Sequence, residues 1–122
     1  MFAVGVDVSN GGSIVAVIGA RRTIVAKQYE VPNTTDGFAD LAAKLHALDG
    51  EVRIVMEHTG RYYESFAMSM YRAGFFVSAV NPQSPGYQGL PRGNQRSKVK
   101  TDKADALKIA QFAIDKWEIL PH

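Results

Sequence analysis

The chain has 122 residues and a formal net charge of +2, and 46% of its residues are hydrophobic. This hydrophobic fraction excludes a disordered chain, and the length allows one domain over residues 1–122. The absence of cysteine excludes a disulfide framework and a thiolate metal site. Because no apolar run approaches the roughly 20 residues of a membrane span and the N-terminus lacks the features of a signal peptide, we expect no membrane contact and a cytoplasmic location.

The first predicted element is a strand from Phe2 to Val8, which we expect in the middle of a sheet. Its residues are apolar on both faces until Asp7, as is typical of a strand buried on both sides. Burying an unpaired charge is costly, so Asp7 needs a hydrogen-bond donor, a cation or a metal ion. The turn that follows, residues 9–12, ends in two glycines and would let a phosphate approach the backbone closely.

Apolar periodicity and turn residues predict six more elements before residue 81, in the order strand, strand, helix, strand, helix, strand. They span Ser13–Ile18, Thr23–Val31, Phe38–Leu48, Val52–Met56, Arg61–Ala73 and Phe75–Val80. The segment Pro32–Gly37 supplies caps for the first helix. The resulting βββαβαβ order predicts an α/β protein with a mixed five-stranded sheet and a ribonuclease-H-like fold.

The segment from Gln83 to Val99 holds five proline and glycine residues and predicts neither a helix nor a strand. A last helix is predicted from Thr101 to Trp117. The basic residues that lead into this helix are expected to bind the phosphates of a nucleic acid. The residues proposed for this contact are Arg92, Arg96, Ser97, Lys98, Lys100 and Lys103. The alternative is a solvated loop without a ligand.

Four carboxylates from three elements are expected to converge. Asp7 and Glu57 each end a core strand, and ligands gather outside such strand ends. Asp102 and Asp105 lie one turn apart near the start of the last helix. Magnesium prefers oxygen ligands, and two ions that share several carboxylates can catalyse phosphoryl transfer. The pattern therefore predicts a site for two Mg²⁺ or Mn²⁺ ions.

Each acid also has an ordinary structural interpretation. Asp7 can cap the turn that follows it, and Asp102 and Asp105 can cap a helix. Glu57 can pair with His58 or Arg61. The joint placement of the four acids favours the metal site.

Four segments resemble the N-terminal domain of the DEDD transposases, the Piv/MooV-type recombinases of bacterial insertion sequences. That domain is itself similar to the RuvC Holliday-junction resolvase. The segments are Val4–Ser9, Val55–Tyr62, Val80–Pro82 and Ser97–Ala106. The resemblance spans nearly the whole chain, and its most specific part is the pattern Lys100-Thr101-Asp102-x-x-Asp105-Ala106.

The resemblance implies a RuvC-like catalytic domain whose metal-binding tetrad is Asp7, Glu57, Asp102 and Asp105. It implies DNA strand cleavage and transfer that depends on Mg²⁺ or Mn²⁺, a structured guide RNA, and a full-length protein that forms homo-oligomers. Members of the family also carry a C-terminal domain with a serine nucleophile, and this chain stops before it. We therefore expect a fragment that does not complete recombination alone.

Two other functions fit parts of the sequence. Residues 7–13 resemble the first phosphate loop of actin-like ATPases, which makes a fragment of such an enzyme the second hypothesis. The segment Lys100–Ala106 fits that group poorly. A non-catalytic module that binds nucleic acid or mediates assembly is the third hypothesis. Such a module would bind nucleic acid without any affinity for metal.

Overall fold

The computed structural model describes residues 1–9, 12–20, 23–57, 62–80 and 102–120 of the chain. Within these ranges, the side chains of residues 27, 28, 62 and 102–105 are not described. The predicted segment Gln83–Val99 lies outside the described residues. None of the helices in the described ranges is both long enough and apolar enough to cross a membrane.

Every strand and helix that the sequence predicts is present, with ends that differ by at most three residues. The elements are β1 (Phe2–Val8), β2 (Ser13–Gly19), β3 (Ile24–Val31), α1 (Thr35–His46), β4 (Val52–Glu57), α2 (Tyr62–Arg72), β5 (Phe76–Val80), α3 (Asp102–Asp115) and a 3₁₀ turn (Trp117–Ile119). The largest difference is at the start of α1.

Helix α1 begins three residues before the predicted position because its cap lies further upstream. Thr34 is extended, and its Oγ1 accepts a hydrogen bond from the backbone N–H of Gly37 at 3.0 Å. The prediction started the helix at Phe38, the first residue of its apolar stripe. The first turn is helical because the Thr34 carbonyl accepts from the Phe38 N–H at 2.9 Å, which leaves Gly37 inside the helix.

The five strands form one mixed sheet in the order β3-β2-β1-β4-β5. Strand β1 pairs antiparallel with β2 and parallel with β4, and β4 pairs parallel with β5. The predicted mixed five-stranded sheet with β1 at its centre is therefore confirmed. The carboxyl ends of β1, β4 and β5 meet at one edge, which we call the carboxyl edge.

Strand β1 separates two apolar clusters. On one face, Val4 is fully buried beneath α1 and α2, where Phe38 and Phe66 contact edge to face with ring centroids 5.1 Å apart. On the other face, Ala3 packs with Ile109 and other residues of α3. Burial of each large apolar side chain contributes about 1.5–3 kcal/mol, so the two clusters hold the helices on the sheet.

Helix α3 lies directly on the backbone of β1 at Gly5. A Cβ atom at this position would overlap the carbonyl oxygen of Ala106 and the backbone nitrogen of Ala110. Glycine is therefore required here for close approach of a helix to a strand. Ala16, the partner of Gly5 on β2, is fully buried and is also small.

Arg53 connects the C-terminal end of α3 and the 3₁₀ turn after it to the edge of the sheet opposite the carboxyl edge. Its guanidinium group lies 4.5 Å from the ring centroids of both Phe76 and Trp117. It donates a hydrogen bond to the carbonyl of Trp117, and its Nε lies 2.9 Å from Glu51 Oε2. Because Arg53 is near the start of β4, the C-terminal end of α3 lies at the amino end of the parallel strands. The N-terminal end of α3 therefore faces the carboxyl edge.

Replacement of Arg53 by lysine should lower the free energy of unfolding by about 1–2 kcal/mol, because an ammonium group cannot stack as a plane between two rings. Urea unfolding followed by circular dichroism measures this difference. Arg72→Lys is the matched control, since Arg72 is exposed on α2, and it should change the free energy by less than about 0.5 kcal/mol. Equal stability of Arg53→Lys and the wild type would contradict a stabilising role for the stacked guanidinium.

Candidate active site

Two of the four predicted acids lie side by side at the carboxyl edge. The parallel register of β1 and β4 pairs Val6 with Met56, and the next residue on each strand is an acid, Asp7 and Glu57. Neighbouring strands lie about 4.8 Å apart, so the backbones of the two acids are close. Both side chains are partly buried. The prediction that these two acids meet at strand ends agrees with the register.

The two acids also share one face of the sheet. Alternation along β1 places Asp7 on the same side as Gly5, which contacts α3. Alternation along β4 places Glu57 on the same side as Val55, which packs in the cluster beneath α3. The carboxylates therefore lie on the face that α3 covers, just beyond the end of its apolar contact.

Helix α3 carries the other two predicted acids, and its backbone extends toward the same place. Ala106 lies over Gly5, and the helix begins four residues earlier at Asp102. Four helical residues span about 6 Å, and the two strand residues from Gly5 to Asp7 span about 6.6 Å. Because the N-terminal end of α3 faces the carboxyl edge, its first turn, which includes Asp105, extends beyond Gly5 in the direction of that edge. The side chains of Asp102 and Asp105 are outside the described part of the structure.

Among the side chains that the structure describes, no group of three or more His, Cys, Asp or Glu residues could hold a metal ion. Asp7 and Glu57 supply two of the four predicted ligands, and the remaining two are not in that set. The same holds for the predicted phosphate-binding residues. Arg92, Arg96, Ser97, Lys98, Lys100 and the side chain of Lys103 lie outside what the structure describes.

The turn that follows Asp7 is fastened by Asn33, a residue that sequence reasoning assigned only to helix capping. Its Nδ2 donates to the Ser9 carbonyl at 2.5 Å, and its Oδ1 accepts from Ser13 Oγ at 2.7 Å. Ser9 Oγ also donates to the carbonyl of Gly12 at 2.5 Å. These bonds connect both sides of the β1–β2 turn to the segment before α1. They fix the position of the backbone immediately beyond Asp7.

The two fully buried serines of the described chain have different surroundings. Ser13 donates to Asn33, as above. Ser78 on β5 faces the same side of the sheet as Glu57, and its hydroxyl has no hydrogen-bond partner among the described residues. A buried hydroxyl without a partner destabilises a fold, whereas a satisfied one contributes modestly to stability.

Ser13→Ala should destabilise the fold by about 1–2 kcal/mol, since it leaves the Asn33 oxygen without its donor. Ser78→Ala should be neutral or stabilising, because it removes only a hydroxyl that makes no bond to the described residues. The two substitutions control for each other, since both remove one oxygen from a fully buried serine on a strand. Chemical denaturation of both variants measures the difference, and equal losses would contradict the assignment of the Asn33 contact.

The fold places the chain in a structural class. RuvC from T. thermophilus in complex with a Holliday junction substrate is similar over 98% of this chain and 96% of that chain, with a TM-score of 0.63 and 16% identity. A second Thermus thermophilus RuvC structure is similar over the same shares, with a TM-score of 0.61 and 16% identity. The predicted ribonuclease-H-like, RuvC-like fold is therefore confirmed. A search of curated protein sequences found no match.

The family follows from the sequence. The model of the IS110-type DEDD transposase family, described as a transposase, matches residues 4–121. The chain belongs to this transposase family, and the resemblance drawn from its four segments is confirmed.

Proposed function

We propose that the chain is the catalytic domain of a DNA transposase that uses Asp7, Glu57, Asp102 and Asp105 to hold divalent metal for strand cleavage and transfer. The observation that carries this proposal is that Asp7 and Glu57 end neighbouring parallel strands, on the face of the sheet that α3 covers. Family membership favours a transposase over the actin-like ATPase that residues 7–13 suggested.

The donor chemistry fits magnesium or manganese. Both described ligands are carboxylates, and hard divalent cations prefer oxygen donors. When two such ions are bound, they stabilise the charge that develops on the attacking and leaving oxygens of a phosphodiester. Four acids contributed by two strands and one helix would satisfy two ions.

The roles of the protein groups follow from their positions. Asp7 and Glu57 are held by the backbone of two central, paired strands, so their spacing is fixed before any ligand binds. The N-terminus of α3 carries a partial positive charge that stabilises acids in its first turn. The Asn33 contacts hold the β1–β2 turn beside Asp7, where a substrate phosphate would approach the backbone.

The substrate proposed is DNA. The transposase family supports this, as does the RuvC structure with a Holliday junction substrate, which shares the fold. Arg92, Arg96, Ser97, Lys98, Lys100 and Lys103 are proposed to hold phosphates beside the acids, since they precede or enter the first turn of α3. The proposal includes a structured guide RNA and a homo-oligomeric full-length protein with a serine-bearing second domain, because the family resemblance implies them.

Thermal unfolding of Asp7→Asn tests the metal site. Four acids held together repel one another, so removal of one charge should leave the metal-free protein at least as stable as the wild type. Manganese should stabilise the wild type by about 2.7 kcal/mol at 100 times its dissociation constant, since it binds the folded state alone. The variant should gain much less. Calorimetric melts of both proteins, each with Mn²⁺ and with chelator, measure these changes.

The control for charge removal is Asp49→Asn. Asp49 is exposed in the connection between α1 and β4, at the amino end of the parallel strands. This variant should respond to Mn²⁺ as the wild type does. A wild type that is indifferent to Mn²⁺, together with an Asp7→Asn variant that melts lower in chelator, would refute the metal site and favour a structural role for Asp7.

Binding of duplex DNA should weaken as salt rises. Simultaneous replacement of Arg96 and Lys98 by alanine should reduce the slope of log affinity against log salt by up to about two units, because two phosphate contacts are lost. Fluorescence anisotropy at several salt concentrations measures the slope.

The matched control removes Lys44 and Arg72 in the same way. Both are exposed on α1 and α2, which cover the other face of the sheet from the acids. This control should keep the wild-type slope. An unchanged slope in the Arg96 and Lys98 variant would exclude direct phosphate contacts from these residues.

A further inference from the structure

We propose that Gly5 is a positioning residue for the metal site, an inference that rests on the proposed function. The site is divided between two elements. Asp7 and Glu57 belong to the sheet, whereas Asp102 and Asp105 belong to α3. The distance between these two halves depends on how closely α3 approaches the sheet, and at Gly5 the helix backbone lies directly against the strand backbone.

The contact is between backbones. A Cβ atom added to Gly5 would overlap the carbonyl oxygen of Ala106 and the nitrogen of Ala110. Neither atom can rotate away as the end of a side chain could, because both belong to the helix backbone. To restore an ordinary van der Waals contact, α3 would have to move from β1 by a distance on the order of 1 Å.

The residues around Gly5 are also small, which allows this close approach. Ala16 lies beside Gly5 on β2, and Ala16, Ala106 and Ala110 are all completely buried. Larger side chains at these positions would hold the helix further from the sheet. The four small residues therefore allow α3 to lie close to β1, at a point between its anchor at Arg53 and its first turn.

A displacement at Gly5 would be larger at the acids. The C-terminal end of the segment is held by the bond from Arg53 to the Trp117 carbonyl. Measured to the last residue of α3, Asp115, Ala106 lies about 13 Å away along the helix and Asp102 about 20 Å. A helix that pivots at its anchor moves its first turn further than its point of contact. Magnesium requires nearly ideal ligand geometry, so a shift of this size would disrupt a site shared between helix and sheet.

The test compares Mn²⁺ affinity in Gly5→Ala and Gly19→Ala. Gly19 also lies on a strand of the sheet, but a Cβ there would come no closer than 3.3 Å to the side chain of Val25 and 3.7 Å to the Phe2 ring and the Thr23 carbonyl, and the position is far from the acids. Electron paramagnetic resonance of free Mn²⁺ gives the dissociation constant, and circular dichroism verifies that each variant is folded. Gly5→Ala should raise the dissociation constant at least about tenfold. Gly19→Ala should leave it unchanged, even if its melting temperature falls.

A second variant keeps the test decisive if Gly5→Ala does not fold. Ala16→Val inserts volume into the same contact from the neighbouring strand, and it should also raise the Mn²⁺ dissociation constant. Wild-type affinity in a folded Gly5→Ala protein, or equal losses in Gly5→Ala and Gly19→Ala, would overturn the positioning role. Absence of Mn²⁺ binding in the wild type would instead overturn the proposed metal site itself.

Discussion

The backbone contact between α3 and β1 at Gly5 is the constraint on which the position of α3 against the sheet depends. Strand β1 lies at the centre of the sheet. A helix can contact the backbone of this strand directly only at a glycine, which has no side chain. The buried alanines of α3 complete the contact and allow the helix axis to lie closer to the sheet than larger side chains would permit. The helix begins just beyond this contact, and its first turn therefore reaches the end of the same strand that it covers.

The face of the sheet under α3 changes in character along the strands. On β4, Arg53 is stacked between aromatic rings at the amino end, Val55 is buried in the middle, and Glu57 stands at the carboxyl edge. On β1, Gly5 receives the helix and Asp7 follows at the same edge. The face of the sheet that α3 covers thus carries the Arg53 contacts at one end, apolar contacts in the middle and two acids at the carboxyl edge.

The acids were predictable because their signal is local. Asp7 and Glu57 each end an apolar run, and the order of strands and helices makes their strands parallel neighbours. Helix α3 was predictable in the same way from its apolar periodicity, and its residues Ala106, Ile109 and Ala110 are buried. Periodicity and topology together therefore predict the fold and the neighbouring positions of Asp7 and Glu57 at the carboxyl edge.

Other contacts depend on positions that are distant in the chain, and no local pattern indicates them. Asn33 bonds to Ser9 and Ser13, which precede it by 24 and 20 residues. The partners of Arg53 come from β5 and from the segment after α3. The close approach of α3 at Gly5 could not be predicted either, because the sequence of the strand shows only that a small residue is present. The backbone contact that this glycine permits becomes evident only when the position of α3 in the folded structure is known.

The contacts of Arg53, Asn33 and Gly5 stabilise different parts of the structure. The contacts of Arg53 lie at the amino end of β4, so their loss weakens the attachment of α3 to the sheet. The Asn33 bonds lie at the carboxyl edge, and their loss acts on the backbone next to Asp7. Gly5 lies between the two and acts on the separation of helix and sheet, which both ends share. The attachment of α3 at its C-terminal end and its separation from the sheet at Gly5 are therefore connected through one helix, so a substitution at either place acts on the other.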